Sequence, residues 1–176
     1  MSTYQIDTAH THAQFKVRHL MISNVKGDFD KVSGTVDYDE ANPGASAINV
    51  TIDVASVSTR EPQRDAHLKS PDFFDVEKFP TITFVSTAVV KSGDDGFEVV
   101  GDLTIHGVTK TIDLDVEEFT PEVKDPFGLF RRGASAKATI LRSDFGLIFN
   151  AVLETGGVAI SDQVHITIDI EMTRQA

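Results

Sequence analysis

Nine residues near the C-terminus, Val164-His165-Ile166-Thr167-Ile168-Asp169-Ile170-Glu171-Met172, alternate strictly between apolar and polar side chains. A β-strand turns successive side chains to opposite faces, so the five apolar groups share one face. Residues 48–54 and 108–119 repeat this alternation. One-sided alternation is typical of antiparallel strands with one wet face, because the strands of a parallel sheet are usually buried on both faces.

The composition extends this strand pattern to the whole chain. The 176 residues include 49 that are branched at Cβ (Val 19, Ile 13, Thr 17) against 8 Leu, and such side chains favour strands over helices. Further strands are predicted at 14–20, 25–38, 81–90, 97–105 and 133–142. About eight strands separated by sharp turns favour a single antiparallel barrel or sandwich, and we expect one domain over residues 1–176.

The charge and the hydropathy exclude several classes of protein. The chain has 16 Lys and Arg against 27 Asp and Glu, a net charge of −11. This balance argues against a nucleic-acid partner and against docking on an anionic bilayer through a polybasic patch. No run of 18 apolar residues is present, so we expect no integral membrane segment. The start of the chain lacks the basic and apolar regions of a secretion signal, which predicts a cytoplasmic location, or a periplasmic one if a leader was removed.

One long connection, TREPQRDAHLKSPDFFDVEKFP at 59–80, breaks the alternation. Thr59 could cap a short helix at 64–69, with Pro62 at an early helix position. The residues that follow include Phe73, Phe74 and Phe79. Connections of this length in compact domains tend to be functional or to carry structure of their own. The Phe side chains could close one end of a barrel or form the wall of a ligand pocket.

The sequence contains no specific catalytic or metal-binding motif. His10 and His12 would point to the same side of a strand, but a zinc site needs a third protein ligand, and no spacing supplies one. A nucleophile elbow, a P-loop and a Gly-rich dinucleotide motif are all missing, and there is no Cys. We therefore predict no catalytic residues and no metal, and a binding role is favoured by elimination.

Several short motifs together resemble the YceI-like (polyisoprenoid-binding) proteins. They include Tyr4-x-Ile6-Asp7-x-x-His10, Ser70-Pro71-Asp72-Phe73-Phe74-Asp75, Arg142-Ser143-Asp144-Phe145-Gly146 and the closing Val164-x-Ile166. Each motif is modest alone, but they follow the order of the family over essentially the whole chain.

The resemblance implies an all-β, lipocalin-like, extended antiparallel barrel of about eight strands, with a short helix and the Phe-rich connection. It further implies that the apolar interior holds a long isoprenoid or related amphiphilic lipid, such as a polyprenyl pyrophosphate, a quinone or a fatty-acid derivative. The lipid would be a ligand, and no other cofactor is expected. Because members of this family commonly form dimers, we expect a homodimer.

Two groups of residues are assigned to the ligand. The candidate apolar lining is Phe15, Phe29, Phe73, Phe74, Phe79, Phe84, Phe145 and Ile166. Arg64, Asp65 and His67 are candidates for the polar end of the ligand, because Arg suits a pyrophosphate or carboxylate while His and Asp can hydrogen-bond a hydroxyl, quinone or amide. The alternative is a structural network of Arg64 and Asp65 that anchors the connection.

Three functions are compatible with the sequence. The first is a lipid carrier or reservoir. The second is a hydrolase or isomerase that uses the same cavity, with His10, His12 or His67 as its base. The third is a stress-response or assembly protein whose barrel is purely structural.

Overall fold

The computed structural model describes all 176 residues, and all of its strands belong to one antiparallel sheet. The strands are β1 Ser2–Ile6, β2 His12–His19, β3 Ser23–Phe29, β4 Val32–Tyr38, β5 Ala47–Asp53, β6 Val57–Ser58, β7 Thr81–Ser92, β8 Gly96–Ile105, β9 Val108–Phe119, β10 Val123–Lys124, β11 Phe130–Leu141 and β12 Ile160–Arg174. The single α-helix, α1, spans Pro62–Lys69. No helix is long and apolar enough to cross a membrane.

The sheet closes into a barrel because β11 pairs with β9 on one side and with β12 on the other. The barrel consists of eight passes of the chain. Three of these passes are interrupted by a bend, so β1 continues into β2, β3 into β4 and β5 into β6. Each half keeps its neighbours, since β1 pairs with β4 and β12 while β2 pairs with β3 and β12. The expected eight-stranded antiparallel barrel is confirmed.

β12 is the longest strand and carries the alternation noted in the sequence. Val164 and Met172 are buried, and Ile166, Ile168 and Ile170 pack on the core between them. One edge of β12 pairs with β11, and the other edge pairs with β2 and then β1. The inward faces of the eight passes therefore line one continuous apolar interior.

The structure differs from the sequence-based expectations at three places. The strand predicted at 25–38 bends between Phe29 and Val32, and β1 was not predicted. Helix α1 is capped by Glu61, whose carboxylate accepts hydrogen bonds from the amides of Gln63 and Arg64. Thr59 is not the cap, because its hydroxyl is engaged by the side chains that follow it on the helix.

Three segments meet at one end of the barrel, which we call the helix end. They are α1, the β2–β3 turn and residues 142–160. The ring of His67 on α1 lies 5.0 Å from the ring of Phe149, and the Leu20 amide donates to the Ala159 carbonyl at 2.8 Å. The opposite end holds Tyr4, Tyr38 and the start of β11, and we call it the arginine end after the residue that fills it.

Candidate functional site

The interior of the barrel contains a cavity of about 500 Å³. Of the 44 residues that line it, 37 are hydrophobic, so the wall offers very few hydrogen-bonding groups. The volume lies within the range of about 300–1,000 Å³ that is usual for small-ligand sites. A cavity of this kind suits the apolar part of a ligand, because covering it leaves no polar group of the wall unpaired.

Most of the candidate lining residues do line this cavity. They are Phe15, Phe29, Phe73, Phe74, Phe84 and Ile166. Phe29 is central among the aromatic groups, with its ring centroid 5.7 Å from that of Phe15 and 5.8 Å from that of Phe74. The Phe-rich connection therefore contributes two side chains to the cavity wall and does not simply cover the barrel from outside.

Phe79 and Phe145 lie outside the cavity wall. The ring of Phe79 stacks edge-on against His106, 4.7 Å away, beside the β8–β9 turn. Phe145 is 1% exposed and belongs to the packed core of the turn that follows β11. Both side chains stabilise connections between strands. They differ from the lining residues because the chain at these two positions directs them away from the cavity.

The arginine end of the cavity is closed by a cluster of aromatic rings around Arg132. The guanidinium carbon lies 5.8 Å from the ring centroid of Tyr4, 5.3 Å from that of Tyr38 and 5.1 Å from that of Phe119. Arg132 Nε donates to the Tyr4 hydroxyl at 3.1 Å, and that hydroxyl donates to Glu122 at 2.7 Å. Burial raises the pKa of both Tyr4 and Tyr38. Tyr38 and Phe119 are the members of this cluster that line the cavity.

The polar residues of the wall are concentrated at the helix end. The seven polar lining residues are Gln14, Arg18, His19, Ser46, Arg64, His67 and Arg142. Five of the seven are Arg or His, and none is Asp or Glu, although the chain as a whole carries a net charge of −11. The helix end is therefore the polar end of the cavity.

Arg64 and Asp65 bind the same residue and not each other. Arg64 Nε donates to Thr59 Oγ1 at 2.7 Å, and Arg64 Nη2 donates to the Thr59 carbonyl at 2.8 Å. The Thr59 amide and hydroxyl donate to Asp65 Oδ1 at 2.8 and 2.6 Å. The geometry agrees with an anchoring network, and Asp65 does not line the cavity. Arg64 both belongs to this network and lines the cavity.

His67 lies at the edge of the cavity, between two Phe rings. Its ring is 5.0 Å from those of Phe73 and Phe149, edge-on in both cases. Its Nε2 is 2.8 Å from Asp72 Oδ2. The only Ser of the lining, Ser46, precedes β5 at the arginine end, so the cavity wall does not combine a Ser nucleophile with this His–Asp pair.

Arg142 is a residue of this end that the sequence reasoning did not single out. It is 6% exposed and donates hydrogen bonds to four backbone carbonyls. The acceptors are Leu147, Phe149, Ile160 and Ser161, at 2.6, 2.9, 3.2 and 2.9 Å. Burial lowers the pKa of Arg142. The only available signal was its place in the Arg142-Ser-Asp-Phe-Gly motif, which does not reveal burial.

His10 and His12 do not form a pair. His10 sits in a turn between β1 and β2, where its Nδ1 lies 2.9 Å from Asp7 Oδ2. Asp7, His10 and Glu171 are close enough to share a metal ion, but a guanidinium nitrogen of Arg131 lies 2.8 Å from Asp7 and 2.7 Å from Glu171. The carboxylates of this cluster already have a cationic partner, and the cluster lies outside the main cavity.

Fold and cavity together define the class: a closed antiparallel β-barrel protein with an apolar internal cavity whose polar wall residues are concentrated at one end. The comparison with known families is specific. The YceI-like domain family matches residues 4–172, and the chain belongs to this family.

Individual relatives agree with this assignment. The UPF0312 protein ECA1782 of Pectobacterium atrosepticum is 40% identical over 174 residues, which cover 98% of this chain and 86% of that protein. The crystal structure of Burkholderia cenocepacia BcnA superposes with a TM-score of 0.82 at 25% identity, covering 94% of this chain and 98% of that one. A polyisoprenoid-binding domain from Saccharophagus degradans superposes with a TM-score of 0.72 at 18% identity, covering 99% and 100%, and this last likeness concerns the fold.

Proposed function

We propose that the protein binds one long-chain isoprenoid or related amphiphilic lipid in the barrel, as a carrier or reservoir. Polyprenyl pyrophosphates, quinones and fatty-acid derivatives are the candidate ligands. The observation that carries the proposal is the apolar cavity of about 500 Å³, closed at the arginine end and polar at the helix end. The membership of the chain in the YceI-like family supports the same class of ligand.

The apolar wall supplies the driving force for binding. Each buried CH₂ contributes about 0.8 kcal/mol, so a tail of about 15–20 carbons gives a gross gain of about 12–16 kcal/mol. Association costs about 4–15 kcal/mol, and ordering of the lipid and of side chains adds to this cost. The gain from the apolar tail is of the size needed to offset it, and contacts to the polar head add affinity.

The polar end of the ligand is assigned to the helix end. Arg64 and His67 line the cavity there. Asp65 helps to position Arg64, because the Thr59 hydroxyl accepts a hydrogen bond from Arg64 and donates one to Asp65. His19 and Arg142 line the same end. A phosphate or carboxylate of the ligand would meet cationic side chains at this end, and no carboxylate of the wall would repel it. A quinone or hydroxyl could accept hydrogen bonds from the same Arg and His side chains.

Organic extraction of freshly purified protein, followed by mass spectrometry, tests the proposal. We expect one class of long-chain lipid to be recovered at near one molecule per chain. Repeated recovery of no lipid, together with no uptake of added isoprenoids, would contradict the proposal.

The His67–Asp72 hydrogen bond favours a second function, a hydrolase or isomerase that acts on the bound lipid. A His oriented by a carboxylate is a common general base. Turnover of an added lipid that is lost in His67→Ala and kept in His12→Ala would support the enzyme. Transport, a homodimer and a cytoplasmic location stay predictions, which lipid-transfer assays, light scattering and cell fractionation can check.

A further inference from the structure

Half of the exposed large hydrophobic side chains lie in two adjacent segments at the helix end. Seven of the fourteen are in residues 20–22 and 148–158, which we call the apolar rim: Leu20, Met21, Ile22, Ile148, Phe149, Val152 and Val158. Ile22, Ile148 and Val152 are 75%, 74% and 85% exposed. The Leu20 amide donates to the carbonyl of Ala159, the residue directly after the second segment, and so holds the two segments together. Clustered exposed apolar groups of this kind mark an interaction surface.

The backbone of the first rim segment is strained. Leu20 and Met21 have φ angles of 51° and 61°, in the left-handed region. Side chains other than Gly, Asn and Asp adopt this region at a cost, and Asn-Gly is the preferred pair for such a turn. Two large apolar residues stand there instead, and both point into solvent. Strain of this sort is typical of functional segments.

A basic stripe lies directly behind the rim. Lys16 and Lys26 are opposite each other in the β2–β3 register. Arg18 is exposed two residues further along β2, where it also borders the helix end of the cavity and donates to the Met21 carbonyl at 3.2 Å. None of the three forms a salt bridge. Residues 14–26 contain no Asp or Glu. Like charges placed opposite each other across a strand pair repel, so this arrangement favours an external anion.

We propose that the rim and the stripe dock on the surface of an anionic phospholipid bilayer. The rim would enter the boundary between head groups and acyl chains, and the three cations would meet lipid phosphates. Apolar insertion combined with basic residues at the level of the head groups is the usual basis of interfacial binding. The net charge of −11 argued against such docking, but the rim and the stripe carry few carboxylates: residues 14–26 have none, and 144–160 have Asp144 and Glu154 alone. The other carboxylates of the helix end, such as Asp65 and Asp72, are engaged by Thr59 and His67.

The position of the rim connects it to the cavity. Phe149 belongs to the rim and also lines the cavity. Ala159 and Ile160, which follow the second rim segment, line the cavity as well. A lipid tail that leaves the bilayer at this point would reach the cavity along apolar surface, without crossing water. This last step rests on the proposed function, whereas the docking itself does not.

Co-sedimentation with vesicles tests the docking. We expect the wild type to bind phosphatidylcholine vesicles that contain phosphatidylglycerol, and to bind pure phosphatidylcholine vesicles more weakly. Added salt should weaken the first interaction, because it screens the basic stripe. Equal binding to both kinds of vesicle, or to neither, would overturn the proposal.

Two sets of variants assign the binding to the named residues. Replacing Leu20-Met21 with Asn-Gly should raise the Tm by about 2–4 °C, because the turn relaxes, and should lower vesicle affinity about tenfold. Lys16→Gln with Lys26→Gln should lower the affinity by a similar factor. The matched controls are Phe127→Ser, where Phe127 is 89% exposed in the β10–β11 turn, and Lys91→Gln with Lys124→Gln. Both controls should bind vesicles like the wild type.

The outcomes separate this proposal from the proposed function. If the Asn-Gly variant binds vesicles as well as the wild type does, the docking surface is wrong. If the wild type self-associates in light scattering and the Asn-Gly variant does not, the rim is an interface with a second copy and the bilayer proposal is overturned. Extraction of lipid from the same variants tests the cavity alone, since none of these substitutions shortens or fills it.

Discussion

Arg142 shows how one side chain can shape the helix end of the cavity. It holds the carbonyls of Leu147 and Phe149, in the segment that follows β11, and those of Ile160 and Ser161 at the start of β12, and it forms no salt bridge. Arginine is suited to this position, because its planar group presents five donors in fixed directions. The segment that carries Phe149 is therefore positioned by hydrogen bonds from one buried cation.

Replacing Arg142 with Met is expected to destabilise the protein by about 2–4 kcal/mol, because buried carbonyls lose their donors. Chemical denaturation measures this loss. The matched control is Arg60→Met, at an exposed position, where we expect a change within about 0.5 kcal/mol. Equal effects at the two positions would show that the four carbonyls do not depend on Arg142.

Gly27 illustrates a close approach that only glycine permits. A Cβ at this position would overlap the ring of Phe15, which covers Gly27 from the neighbouring strand. Gly27→Ala should therefore displace Phe15 towards the cavity and cost about 1–3 kcal/mol. Combining it with Phe15→Leu should recover much of the loss, as a double-mutant cycle of unfolding free energies would show. Additive effects of the two changes would contradict this contact.

The Asp7–His10 pair gives the stability a defined pH dependence. A hydrogen bond from His10, followed by one from Arg131, lowers the pKa of Asp7 to about 2, and the same bond to Asp7 raises the pKa of His10. The contribution of Asp7 is present above its ordinary pKa of 3.8 and is lost as the pH falls towards 2. The contribution of His10 is present below its ordinary pKa of 6.5 and is lost as the pH rises through the raised value.

Asp7→Asn should thus lower the Tm most between about pH 4 and 6.5, where both partners are charged. The difference in Tm from the wild type should shrink towards pH 2, where Asp7 is protonated. Above neutral pH it should shrink only in part, because His10 loses its charge while Arg131 keeps its own. Thermal melts across this range measure it, with Asp94→Asn in the exposed β7–β8 turn as the control. A constant difference at every pH would contradict the pairing.

At the residue scale, the sequence predicts which residue types form the core and the cavity wall better than it predicts where each side chain points. Phe15, Phe29, Phe73, Phe74 and Phe84 were identified as core or wall and do line the cavity. Arg132 and Arg142 were not recognised, because an Arg that stacks on aromatic rings or holds carbonyls looks the same in sequence as an exposed one. The register of β11 reveals the direction of Arg132, and the turn that follows β11 reveals that of Arg142.

At the scale of elements, strict alternation over many residues was the most reliable signal. The nine strictly alternating residues 164–172 predict the centre of β12, which extends to Ile160–Arg174, whereas β1, with five residues, is too short to stand out. The prediction of one strand over 25–38 overlooks the bend, although the alternation changes phase there. Val25 and Phe29 face inward before the bend, and Val32 and Val36 face inward after it. A change of phase within a run of strand-forming residues is the trace that such a bend leaves in the sequence.

The stability of helix α1 depends more on the hydrogen bonds that cap its first turn than on the packing of an apolar face. It has eight residues and no buried side chain, and Glu61 accepts two of its free amides. Glu61→Ala should cost about 1 kcal/mol locally. Hydrogen exchange should therefore speed up in 62–69 while the barrel strands keep their protection. Glu77→Ala serves as the control, and unchanged exchange in Glu61→Ala would show that the cap does not hold the helix.

At the scale of the whole molecule, the barrel separates a charged exterior from an interior that is almost free of polar groups. The alternating strands place most of the acidic side chains outside, which accounts for a net charge of −11 around an apolar cavity. The two ends differ in kind. Aromatic rings around Arg132 close one end, while the other carries the polar residues of the wall and the apolar rim.

Native mass spectrometry of the wild type and one pair of variants tests lipid binding in the cavity most directly. Ala136 lines the cavity on β11, so Ala136→Phe would fill part of it, while Thr139→Phe places the same ring on the exposed outer face of that strand. We expect one lipid per chain on the wild type and on Thr139→Phe, and little or none on Ala136→Phe at an unchanged fold. Equal lipid occupancy of the two variants would show that the lipid does not occupy the barrel.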